Sequence, residues 1–204
     1  MIKIYPCVLL PNSELFNWWK RGKFVPVSEK NLITALVKIK SFVPRYVRIS
    51  RLVRDFPSSS AAAGTMATNL RQVIQQRMKK IGAVCQCLRC REIGHNPGIN
   101  AAKIKPKLFI DKYSASGGTE YFLSFEDARR RVVFGFLRLR LPSASNQAVL
   151  STLPEINGCA LIRELHVYGQ QIELGKSSKA ASQHKGLGRI LMARAEIIAK
   201  KNGF

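Results

Sequence analysis

Gln183-His184-Lys185-Gly186-Leu187-Gly188 runs directly into Arg189-Ile190-Leu191-Met192-Ala193-Arg194-Ala195-Glu196, and this junction constrains the fold more than any other stretch. Two glycines one residue apart, followed by an amphipathic run, describe a loop that opens a helix, because glycine admits backbone conformations and close approaches that side chains forbid. The free N–H groups and positive dipole end of such a helix favour an anion, with phosphate as the natural occupant. Lys185 and Arg189 add positive charge beside that position, and His184 stands just before the first loop glycine. The preceding segment, Ala160–Tyr168, is rich in strand formers and ends on Gly169. Strand, loop and helix in that order predict an α/β unit built around a phosphate-bearing ligand.

The pattern upstream of this unit is β. Leu108–Tyr113, Glu120–Phe125 and Val132–Leu141 read as strands. Ser114–Gly118 and Asp127–Arg131 supply the turns, and Pro142–Gly158 reads as a surface excursion. The first half is mixed. Lys3–Leu10 reads as a short strand stopped by Pro11, and the segment bearing Phe16, Trp18 and Trp19 as a helix end or an aromatic loop. Ser28 opens a helix running to about Phe42, with Leu32, Ile33, Leu36, Val37 and Ile39 on its apolar side. Tyr46–Val53 alternates like a strand, and Pro57–Gly64 is a small-residue linker. A second helix is expected from about Thr68 to Ile81, burying Leu70, Val73, Ile74 and Ile81 and closed by Gly82.

Charge narrows the partner. Thirty-four Lys and Arg against 12 Asp and Glu leave a net charge of +22, spread along the chain rather than gathered in a tail. A folded body this basic attracts polyanions, which points to a nucleic acid. Arg71, Lys79 and Lys80 on the second helix, with Arg89 and Arg91 beyond it, are the candidate contacts; the alternative is a solvated basic face. No apolar run approaches the roughly 20 residues of a spanning helix, and Met1–Leu10 has no signal-peptide pattern, so a cytoplasmic protein without a membrane partner is expected.

Cys85, Cys87 and Cys90 form Cys-x-Cys-x-x-Cys, with His95 five residues on. Thiolates this close share one soft cation, and structural Zn²⁺, completed by His95 or an outside ligand, is the leading expectation. Three reduced thiols in a turn or an iron–sulfur site are the alternatives. Glu164 and His166 alternate with Leu165 and Val167 along their strand, so the two polar side chains share a face. Either can accept a proton, which makes them candidate bases; hydrogen-bonded surface residues are the competing reading.

The strand–Gln-x-x-Gly-x-Gly–helix unit resembles the pyrophosphate-binding element of the GCN5-related acetyltransferases. A closer resemblance is carried by a set of stretches in order. These are Arg51-Leu52-Val53-Arg54-Asp55-Phe56-Pro57, Cys85–Glu92, Tyr121–Asp127, Gly135–Arg140 and Arg163–Gly169, followed by the glycine loop. Together they look like the catalytic subunit of Elongator in its bacterial or archaeal single-chain form. That resemblance implies an α/β chain in three parts: residues 1–64 as the C-terminal part of a radical S-adenosylmethionine barrel, 65–106 as a basic zinc-binding linker, and 107–204 as an acetyltransferase domain truncated at its C-terminus. It further implies carboxymethyl formation on C5 of the tRNA wobble uridine, with tRNA and acetyl-CoA as partners. Glu164, Leu165, His166 and Val167, together with Gln183 to Ile190, would line the acetyl-CoA site. S-adenosylmethionine and a 4Fe–4S cluster belong to the full-length enzyme, but the family's early Cys triad is absent and Cys7 is solitary in that half. The pattern is therefore that of a fragment lacking both ends and inactive alone. A protein lysine acetyltransferase using the same loop, or a non-catalytic RNA-binding fragment, are the other readings.

Overall fold

The computed structural model describes residues 1–53, 60–65, 67, 69–143, 152–169 and 186–204. The chain divides into two compact units, Met1–Cys90 and Arg91–Phe204. A mixed α/β architecture is observed.

The first unit carries short strands and longer helices. The expected strand Lys3–Leu10 is broken in two, β1 (Ile2–Lys3) and β2 (Val8–Leu9), which serve different ladders. Pro6 lies between them and has no N–H to donate, so one continuous ladder cannot run through it. Helix α1 (Glu14–Lys20) is capped by Ser13, whose hydroxyl accepts from the N–H of Phe16, and holds Trp18 and Trp19 without burying any residue. Helix α2 (Glu29–Phe42) starts at the expected cap, Ser28 accepting from the N–H of Asn31. Leu36 and Val37 are buried as expected, but the third buried residue is Lys40, while Ile39 is exposed. Of the expected strand Tyr46–Val53, only β3 (Ile49–Arg51) is formed, because the N–H of Val47 turns back onto the carbonyl of Pro44.

β1 pairs in parallel with β3, and β2 pairs antiparallel with β4 (Ala63–Gly64). Helix α3 (Leu70–Lys80) buries Leu70, Ile74 and Met78 at four-residue spacing; Val73 is half-buried and Ile81 exposed, so the buried stripe is rotated from the expected one. Its end is a Schellman motif in which the N–H of Gly82 bonds Lys79 and that of Ala83 bonds Met78. Leu36, Ile49, Leu52, Leu70, Ile74 and Met78 form one apolar core that continues into Cys85 and Cys87. The short helix α4 (Leu88–Arg91) follows. Thr68, where the helix was expected to begin, and Pro57–Ser59 of the small-residue linker lie outside the described residues.

The second unit is a four-stranded antiparallel meander, β5 (Lys107–Ala115), β6 (Gly118–Glu126), β7 (Val133–Pro142) and β8 (Leu161–Val167), in sequential order. The β5–β6 turn is shorter than the sequence suggested. Only Ser116 and Gly117 lie outside the ladder, at φ 45° and 68°, and two left-handed residues give the turn whose twist matches the strands it joins. The register slips once in β7–β8, between Arg138 and Leu139, which are paired with Glu164 and Ile162. Helix α5 (Leu187–Lys201) packs on β6, β7 and β8 through Leu187, Leu191, Ala195 and Ile198.

Candidate functional site

Three groups of predicted residues have definite places. In the first unit the Sγ atoms of Cys85, Cys87 and Cys90 lie within 4.8 Å of one another. The turn that gathers them is held by the N–H of Leu88 on the carbonyl of Val47 and the N–H of Cys90 on that of Cys87. Cys87 is fully buried, and Lys40, fully buried on α2, brings its Nζ to 3.5 Å from Cys90 Sγ. Lys40 was not singled out from the sequence. Its place among the apolar side chains of α2 is explained by the negative charge the thiol group accumulates.

The thiols polarise one another. Hydrogen bonds from Cys85 and then Cys90 hold Cys87 well below the ordinary thiol range against the opposing effect of burial, with the Cys90 amide and the Lys40 charge assisting. Cys85 is pushed up, chiefly by its hydrogen bond to Cys87. A soft cation replaces the shared protons in such a group. Thiolates bound tetrahedrally at about 2.3 Å from zinc stand about 3.8 Å apart, so sulfurs within 4.8 Å need only a small contraction. The residues fit zinc. His95 lies in the second unit and is not one of the clustered ligands; its Nε2 is 3.8 Å from Glu92 Oε2.

The basic candidates divide. Lys79 and Lys80 are exposed on the last turn of α3. Arg71 and Arg89 line one cavity with Arg51. Burial and then the charge of Arg89 pull the Arg71 pKa down. Arg91 must be removed from the list of RNA contacts. Its guanidinium is 4% exposed and donates to Glu126 Oε2 at 2.7 Å, so its charge faces a carboxylate inside the second unit.

Glu126 is the centre of a buried polar network that sequence reading missed. It accepts from Ser124 Oγ at 2.7 Å and Arg130 Nε at 3.2 Å besides Arg91, and Arg130 also grips Asp111. The Asp127–Val132 turn positions Arg130. Burial works against ionisation of Asp127, but the N–H groups of Val132, Arg131 and Arg129 outweigh it and hold the carboxyl below its usual range. Alternation of acidic residues along β6, Glu120 and Glu126 with Ser124 between, was the available signal.

On β8, Glu164 and His166 share a face as expected. Glu164 accepts from Arg138 Nε at 2.9 Å, and His166 stacks on Phe136 and lies 4.4 Å from the Tyr168 ring. Both candidate bases are thus engaged in cross-strand pairs. The other face of β8 meets α5: a Cβ on Gly188 would stand 3.7 Å from Val167 Cγ2. Gly186 is the N-cap of α5 at φ 72°, a left-handed conformation that glycine adopts without penalty. It carries no side chain, and no side-chain hydrogen bond from the N-cap residue caps the helix. Leu187 is buried, whereas Arg189 and Ile190 are exposed. The end of the Glu164–Val167 strand and the Gly186–Ile190 turn are therefore side by side; Gln183, His184 and Lys185 lie outside the described residues.

Comparison with known proteins follows the same division. Residues 1–80 match the Radical_SAM C-terminal domain family. Over 98% of its length the chain is 41% identical to the tRNA uridine(34) acetyltransferase of Methanocaldococcus infernus, covering 38% of that protein. It is likewise 41% identical to the tRNA uridine(34) acetyltransferase of Dehalococcoides mccartyi, covering 42% of it. It is 37% identical to Elongator complex protein 3 of Dictyostelium discoideum, of which it spans 35%. The solved structure of the archaeal Methanocaldococcus infernus Elp3 with an N-terminal deletion superposes with a TM-score of 0.82 at 39% identity, covering 99% of this chain and 47% of that one. The chain thus spans about two-fifths of these relatives, and with both units accounted for it belongs to the family of the tRNA uridine(34) acetyltransferases and Elongator complex protein 3.

Proposed function

We propose that this chain is the part of a tRNA wobble-uridine-modifying acyltransferase that binds acetyl-CoA and contributes to the grip on tRNA. The observation that carries the reading is the juxtaposition of Val167 and Gly188, within a sheet and helix whose relatives are named tRNA uridine(34) acetyltransferases. The first-turn N–H groups of α5 receive the pyrophosphate of the cofactor, and the backbone of Glu164–Val167 lies along its pantetheine arm. Gln183, His184 and Lys185 belong to the same loop, and Arg189 adds positive charge at its helix end. Zinc on Cys85, Cys87 and Cys90 is structural: it ties the end of the first unit to its core through thiolates that Lys40 compensates.

In the full-length family, S-adenosylmethionine on a 4Fe–4S cluster supplies the radical that activates the acetyl carbon. The cysteines of this chain do not fit that cluster: Cys7 is solitary and exposed, and the clustered three have zinc-type spacing. Among the described residues no helix is long and apolar enough to cross a membrane, and we place the protein in the cytoplasm with tRNA as its macromolecular partner.

Calorimetry with acetyl-CoA tests the reading. Binding is expected for the chain as it stands and is lost on Gly188→Asp, which sets a carboxylate against the phosphates. Binding indifferent to that change would overturn the loop assignment. Acetyl transfer to a lysine peptide, with no response to tRNA, would establish a protein acetyltransferase instead.

A further inference from the structure

Arg51, Arg71 and Arg89 line one cavity of about 410 Å³, together with Ser50, Leu52, Val53 and Gln72. The three cations come from β3, from the first turn of α3 and from the cysteine-bearing turn. Tertiary packing, not a local run of charge, brings them together. No carboxylate lines the cavity among the described residues, although like charges repel at this range.

Arg71 is the fixed member. Its Nη2 donates to the carbonyls of Ile49 at 3.2 Å and Ser50 at 3.1 Å, which sets the plane of the guanidinium. Its Nη1 is buried and has no hydrogen-bond partner among the described residues. A buried cationic donor left unmade is costly, more so than a neutral one, and an oxyanion in the cavity offsets the charge that Arg71 holds there. Guanidinium forks match the oxygens of a phosphate group, and several of them around one tetrahedral anion are a recurrent solution for binding it.

We infer that this cavity seats one phosphodiester group of the tRNA backbone, with Arg71 as the pre-oriented cation and Arg51 and Arg89 closing on the phosphate oxygens. The inference rests on the RNA reading above and sharpens it from a diffuse basic surface to one anchoring point. The net charge of +22 favours a polyanion over an isolated carboxylate as the source. The pocket carries register and not sequence, because phosphate contacts position a nucleic acid without reading its bases.

The experiment uses the whole chain, a tRNA transcript and filter binding over a salt series. Arg71 is left intact because its bonds to β3 support the fold, and unchanged melting curves certify the other variants. Arg51→Gln and Arg89→Gln are each expected to weaken binding about five- to ten-fold and to reduce the salt slope by about 0.7–0.9. Acting on one phosphate, the pair together loses less than the product of the single losses. Lys79→Gln with Lys80→Gln removes as much charge from the far end of α3, and these losses simply multiply. Inorganic phosphate at constant ionic strength competes with tRNA on the unmodified chain and not on the double arginine variant. If the arginine losses also multiply and phosphate competition is unchanged, the pocket assignment is overturned while the RNA reading stands. If the unmodified chain fails to bind tRNA, the RNA reading itself falls. Phosphate bound in the pocket with no effect on tRNA would assign it to a free phosphoryl ligand and overturn the backbone assignment.

Discussion

The two units bury charge in opposite ways. In Met1–Cys90 the core is apolar with one ammonium, Lys40, set against three thiols, and its strands are two or three residues long. In Arg91–Phe204 the strands run seven to ten residues, and the sheet buries the carboxylates Glu120 and Glu126 against arginines. Two- and three-residue ladders contribute little cooperative hydrogen bonding, so the first unit depends on what closes its core. The long meander holds itself through cross-strand ladders and pairs. The lesson is that a thiol cluster and an ion-pair network answer the same need in this chain, fixing irregular segments onto a core, and on the zinc reading proposed above only the first would depend on an outside ion.

That contrast is open to direct test. The largest effect is expected from Cys87→Ser or from chelation: exchange protection of the α2 and α3 amides falls away, with the β6 and β7 amides as internal reference. Elemental analysis of protein purified without chelator should give about one zinc per chain. Metal-free protein with undiminished protection in α2 and α3 would break the comparison at its first term.

Next is Glu126→Ala, which takes from the buried Arg91 the carboxylate it meets at 2.7 Å. Removing one partner of a buried pair costs about 3–5 kcal/mol. Urea unfolding followed by a probe in the second unit should show that loss. A change below about 1 kcal/mol, the value of an exposed pair, would mean that the network is ornamental.

The smallest effect concerns the Asp127 turn. Asp127→Ala deprives three backbone N–H groups of their acceptor and should cost about 1–3 kcal/mol near neutrality. The folded pKa of Asp127 is depressed, so its contribution is present above the unfolded carboxyl value of about 3.9 and is lost as pH falls through the folded value. The gap between parent and variant should therefore close on acidification. A gap that persists unchanged at the lowest pH where the chain stays folded would assign the effect to packing.

Legibility followed the range of the interactions. The α2 start at Ser28, the α3 end at Gly82 and the meander of four strands were readable because caps, turns and alternation act over a few residues. The Pro6 break was readable in principle, since it depends on one missing donor. The buried role of Lys40, the rotation of the α3 stripe onto Met78 and the removal of Arg91 from the exposed basic set were not. Each is decided by a partner more than 30 residues away or by a facing element, and no local pattern encodes which of many cations finds a carboxylate.

By itself the sequence determined the order of strands and helices, the cysteine spacing, the left-handed opening of the last helix at Gly186 and the net positive charge. All of these follow from covalent geometry, side-chain chemistry and neighbours a few residues apart. Tertiary structure alone decided which charges are paired inside and which are gathered around a cavity. Glu126 takes Arg91 because both are held in one unit at 2.7 Å, whereas Arg51, Arg71 and Arg89 are gathered around one cavity lined by no carboxylate among the described residues. Electrostatic energy depends on distance and burial rather than on sequence separation, and only the packed chain sets those two quantities.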